Sequence, residues 1–237
     1  MKILKHKLFL PVSVLTLIII GGVSFFLLGQ AEEKGKLKTF SRDFTEYQRL
    51  VSEVSVSALL PIVDYSKDKC AEDYCGKDNF FSYVQKSIDF QETNSYRAKN
   101  AQLATDNYTL NQDLLDRFDS KNSDLDMQVA RMLELSSSIK DSGNREVAMS
   151  IVKDMRSLQA IYEKLRINEF SIFAVQRELL EKLVKENGVI PDLAFLKKGG
   201  ETISKLREDQ EEMFNQANKL KQEIEDQFSV YKGKNGL

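Results

Sequence analysis

Between Lys7 and Glu32 the chain carries no charge for 24 residues, Leu8 to Ala31, and this run restricts its possible folds most sharply. Backbone placed in a bilayer must satisfy its own hydrogen bonds, so a run of this kind has to be helical. At 1.5 Å per residue the helix reaches ~36 Å, against ~30 Å for a hydrocarbon core. Its centre is Val14, Leu15, Leu17, Ile18, Ile19 and Ile20, and Phe25, Phe26, Leu27 and Leu28 complete it. Pro11 falls in the first turns, where a missing N–H does little harm. Gly21 and Gly22 have no small residue four positions away, so no close-packing dimer seam is present.

The leader ahead of the run holds Lys2, Lys5, His6 and Lys7, whereas Glu32 and Glu33 balance Lys34 and Lys36 behind it. The positive-inside bias then keeps the N-terminus in the cytoplasm and exports everything after residue 31. The expectation is a single-pass signal-anchor in the inner (plasma) membrane with a periplasmic or extracytoplasmic domain. Gly29-Gln30-Ala31 also resembles a signal-cleavage site, and cleavage there would make the exported part a secreted subunit. The apolar run exceeds the roughly 7–15 residues of a signal peptide's apolar region, which favours the anchor.

Cys70 and Cys75 are the two cysteines, with four residues between them in a charged stretch. In an oxidising compartment a local disulfide is the default, pinning a connector between helices. The spacing is not the CxxC of a redox pair. The single histidine, His6, lies in the leader, so zinc has too few soft ligands. Asp68, Glu72, Asp73 and Asp78 match no EF-hand spacing.

The exported part has few breakers: the whole chain holds three prolines and eleven glycines. Phe40, Phe44, Tyr47, Val51, Val54 and Leu59 recur every three to five residues, predicting an amphipathic helix over 36–60. It continues rigidly from the membrane run, with Gly35 as the weak point, and stops at Pro61. Asn79 reads as the N-cap of a helix to about Phe118, apolar at Phe80, Phe81, Val84 and Ile88 and thin in its alanine-lined middle. The aromatic cluster Phe80, Phe81, Tyr83 and Phe90 reads as a packed bundle end. Asp119 to Asp124 reads as a turn, followed by a helix through Leu125, Val129, Met132, Leu133 and Ile139 that ends at Asp141-Ser142-Gly143-Asn144.

The clearest periodicity follows. Val147, Ile151, Met155, Leu158, Tyr162, Leu165, Ile172, Leu179 and Leu183 keep a three-to-four rhythm, with Phe170 and Phe173 as further core candidates. Asn187-Gly188 and Pro191 mark its stop. Gly199-Gly200 separates a short apolar turn from a last helix. There Ile203, Leu206, Met213, Ala217, Leu220 and Ile224 form a heptad seam, with Gln210 and Gln227 at its two polar positions, where they weaken it and bear on register.

The chain thus divides into a cytoplasmic leader (1–7), a transmembrane signal-anchor (8–31), and a membrane-proximal helix with the disulfide loop (32–78). A helical bundle with coiled-coil character (79–231) and a frayed tail (232–237) follow. The expected fold class is all-α: one N-terminal transmembrane helix, then an elongated antiparallel helical bundle.

With no histidine beyond residue 31, Ser-His-Asp and Cys-His catalysis are excluded there, and no glycine-rich phosphate loop occurs. The 34 basic and 36 acidic residues interleave, which argues against nucleic acid as partner. The expected function is a non-enzymatic scaffold or assembly subunit of a cell-envelope complex of the secretion, motility or division type. Its partners would be the bilayer and other envelope proteins or copies of itself, with no cofactor and no metal. The alternatives are a helical-bundle ligand sensor working through a partner and a secreted appendage subunit.

Overall fold

A computed structural model describes residues 4–59, 102, 110, 112–186 and 193–237, with side chains in the first helix described for 27–58. These residues form four long helices, α1 (Leu4–Leu59), α2 (Gln112–Ser137), α3 (Ser142–Lys185) and α4 (Leu193–Asn235). The architecture is all-α.

Helix α1 runs unbroken through Gly29 and Gly35, so the helix expected over 36–60 is continuous with residues 8–31. Each glycine faces open space; Glu32–Lys36 (2.8 Å) spans Gly35, and Glu46–Arg49 (2.6 Å) stitches turns further along. Its buried stripe is Leu37, Phe40, Phe44, Tyr47, Val51 and Val54.

The direction of each helix follows from its cross-links. Lys36 of α1 reaches Ser138 at the end of α2, while Glu53 reaches Lys121 near its start. Helices α1 and α2 are therefore antiparallel. Asn122 of α2 bonds Glu163 of α3, and Asp154 and Glu169 of α3 pair with Gln227 and Gln210 of α4. The order is up, down, up, down. All four helices share one core, in which Phe44 stacks on Phe228 (ring centroids 3.6 Å apart) and Phe40 meets Tyr231 at 5.2 Å. Ile172 and Leu179 of α3 and Leu196 and Ile203 of α4 form a second cluster.

Several boundaries differ from the expectation. Asp119 to Asp124 is not a turn but the interior of α2. Phe118 and Leu125, seven residues apart, are both buried on one stripe, and the polar residues between them bond outward to α1 and α3. Packing at both ends overrides the turn propensity of the run. Residues 112–118 accordingly belong to α2, and the remainder of the expected 79–118 helix, with its aromatic cluster, lies outside the described residues apart from 102 and 110.

The break between α2 and α3 falls at 138–141, so Ser142-Gly143-Asn144 is already the first turn of α3. Asp141 is its N-cap and accepts a 2.7 Å bond from the Asn144 N–H. Asn187, Gly188 and Pro191 lie outside the described residues.

Gly199-Gly200 does not separate two elements: α4 runs through both. A Cβ on Gly199 would stand 2.7 Å from a methyl carbon of Leu179, so this glycine serves close approach of α4 to α3. The tail is not frayed to residue 232 either. The helix continues to Asn235, anchored by buried Tyr231 and a bond from the Asn235 side chain to Asn144. Phe173 is buried as expected, whereas Phe170 is 38% exposed on the outer side of α3.

Candidate functional site

The seam residues come together. Ile151, Leu158, Leu165, Ile203 and Ile224 are buried between helices, and Val147, Leu206, Met213 and Leu220 pack partly buried at their edges. The polar seam positions have specific partners on α3. Gln227 donates a 2.7 Å bond to Asp154 Oδ2, and Gln210 donates to Glu169. Charge-assisted bonds of this kind fix which turn of α4 faces which turn of α3.

A second polar cluster was not legible beforehand. At the end of the bundle where α1 enters, three chain segments meet: Glu32 to Lys36, the 138–141 turn, and the end of α4. The Glu33 carboxylate accepts from the backbone N–H of Lys140 (2.9 Å) and of Asp141 (3.1 Å). Lys36 Nζ donates to the Ser138 carbonyl at 3.0 Å. Glu32 pairs with Lys36 and, at 3.3 Å, with Lys140. Hydrogen bonds from Lys36 and then Lys140 hold its carboxyl below the usual value of 4.5. Asn144 and Asn235 exchange amide bonds of 2.9 and 3.2 Å, joining the start of α3 to the end of α4. The effect is a clasp at this one end of the bundle, tying the 138–141 turn to α1 and the start of α3 to the end of α4.

Two charged residues, Asp43 of α1 and Arg166 of α3, sit inside the packing. Asp43 of α1 is 4% exposed. Arg131 Nε lies 3.1 Å from its Oδ2, close enough for an ion pair although the N–H does not point at the oxygen. Gln128 donates to the Asp43 backbone carbonyl at 2.8 Å. These groups line an open groove of about 490 Å³ with Arg42, Thr45 and Glu46. A similar groove between α2 and α3, about 390 Å³, is lined by Asp119, Asn122, Asp126, Arg156, Gln159 and Glu163. Burial pushes the Tyr47 and Tyr231 hydroxyls far above the usual tyrosine value, so both stay protonated and act as packing groups.

Among the described residues no cluster of three His, Cys, Asp or Glu could hold a metal ion. Among them, too, no helix is long and apolar enough to cross a membrane. The membrane-run residues Val14, Leu15, Leu17, Ile18, Ile19 and Ile20 lie on α1 but outside the part whose side chains are described, and Cys70 and Cys75 lie outside the described residues altogether. Comparison with protein-family models, with curated proteins and with solved structures finds no match to this chain.

Proposed function

We propose that this chain is a non-enzymatic, membrane-anchored helical scaffold, an assembly subunit of a cell-envelope complex of the secretion, motility or division type. It acts through helix–helix contacts with other envelope proteins or with copies of itself, and it calls for no cofactor and no nucleic acid. The anchor is Leu8 to Ala31, read from its lack of charge, with the N-terminus cytoplasmic and the bundle on the periplasmic or extracytoplasmic side. The Cys70–Cys75 pair closes a local disulfide there.

The observation that carries this reading is the continuity of α1. The helix that contains the apolar run is the same helix that supplies Phe40, Phe44 and Tyr47 to the bundle core. Anchor and bundle are one mechanical unit, as a positioning device requires. The polar groups described above are supporting observations, since they join one helix to another.

Crosslinking in intact cells followed by mild-detergent purification tests the reading. The expected result is a membrane-fraction protein that brings envelope proteins or a second copy with it. A mature chain starting at Glu32 by mass spectrometry would overturn the anchor and favour the secreted subunit. A partnerless monomer whose melting temperature rises with a small molecule would favour the sensor.

A further inference from the structure

The clasp sits at a defined height on α1. Glu33 and Lys36 follow Ala31 by two and five residues, which is ~3 and ~8 Å along a helix axis. The polar headgroup layer on each side of a bilayer is about 5–8 Å deep. Given the anchoring reading, on which this inference rests, the clasp holds the α2–α3 turn and the end of α4 at headgroup level.

That face is positive although the chain is not. Over 32–38, 138–146 and 231–237 basic side chains outnumber acidic ones seven to four, whereas the chain as a whole holds 34 to 36. Three of the four carboxylates are turned to internal use. Glu32 pairs with lysines, Glu33 takes two backbone amides and Asp141 caps α3. Glu146 is the fourth. Lys34, Lys38, Lys232 and Lys234 are exposed, Lys140 is exposed although paired with Glu32, and Arg145 is half-buried. They come from α1, the turn and α4, so they are spread over three segments at this end of the bundle rather than lying on one helix.

We infer that this face of the bundle docks on anionic lipid headgroups, with the lysines of α1, the turn and α4 as its contacts. Each lysine close to such a surface adds attraction, and the attraction is screened by salt. Docking by three segments around the anchor fixes the tilt of the bundle as well as its height.

The test uses the full chain reconstituted in vesicles. The sequence has no tryptophan, so Ser142→Trp places a single fluorophore in the exposed turn, and Ile167→Trp places one on the same helix, 25 residues further from the clasp. Vesicles of phosphatidylcholine, with or without about one-third phosphatidylglycerol, carry a headgroup nitroxide quencher. The expected result is quenching at 142 and not at 167, strong in the anionic vesicles. It should fall by about half or more at ~0.5 M NaCl and in the Lys38→Gln, Lys232→Gln, Lys234→Gln triple variant. Equal quenching at 142 in neutral and anionic vesicles overturns the inference, as does absent quenching in protein that floats with lipid. Failure to float overturns the anchor reading instead. Should the triple variant lose its helical circular dichroism, the lipid and salt comparisons decide without it.

Discussion

Leu179 is 2% exposed, and its two methyl carbons stand 2.7 and 2.8 Å from where a Cβ on Gly199 would lie. A side chain so enclosed has little room to move aside. Gly199→Ala is therefore expected to destabilise the protein by about 1–2 kcal/mol, overpacking outweighing alanine's helical advantage. Gly35 presents the opposite case, a helix-interior glycine facing open space, where Gly35→Ala should stabilise by about 0.5–1 kcal/mol. Denaturant unfolding of the two variants should show opposite signs. Arg131→Ala leaves Asp43 buried without its nearest cation. Arg131 is itself 57% exposed at the side chain, so the expected loss is nearer about 1–3 kcal/mol than the value for a fully buried pair. Asp43→Asn in the same background should recover part of it, as a double-mutant cycle would measure.

Helices α3 and α4 were legible because their pattern is long and their breakers few. Val147 through Leu183 already trace the buried face of α3, and even the two seam glutamines prove to be cross-helix donors. What misled was local chemistry. Asp119 to Asp124 and Gly199-Gly200 have the composition of turns, yet each lies in a helix whose flanking residues are packed. Composition records the preference of an isolated segment and not what Leu125 or Leu179 gains by burial. Leu125→Ala should accordingly cost about 2–5 kcal/mol despite its place beside a polar run, as chemical denaturation would show. The clasp was hidden for a different reason. Glu33 and Lys140 are 107 residues apart, and nothing local in either segment announces the other.

Three carboxylates of α1, one of them in the clasp, set an acid response. Glu32, Glu46 and Glu53 are held below 4.5 first by Lys36, Arg49 and Lys121 respectively. A carboxyl lowered in the folded state contributes stability above its unfolded value and loses it as pH falls through the folded one. The melting temperature should thus be flat from neutral pH to near 4.5 and fall below it, more shallowly in Glu32→Gln and at high salt.

At the scale of the molecule, the four described helices do not share their contacts evenly. Ile151 to Leu165 lies in the core common to all four, whereas the Leu179–Ile203 region belongs to a smaller α3–α4 cluster. Amide exchange is expected to be slower in the first than in the second. The unbroken α1 has one more consequence. Phe40 and Phe44 belong to the same continuous helix as residues 8–31, and their rings press on Tyr231 and Phe228 of α4. A rotation imposed on α1 near residue 8 would meet no helix break before those rings, so α4 is expected to follow it, as spin labels on the two helices would report.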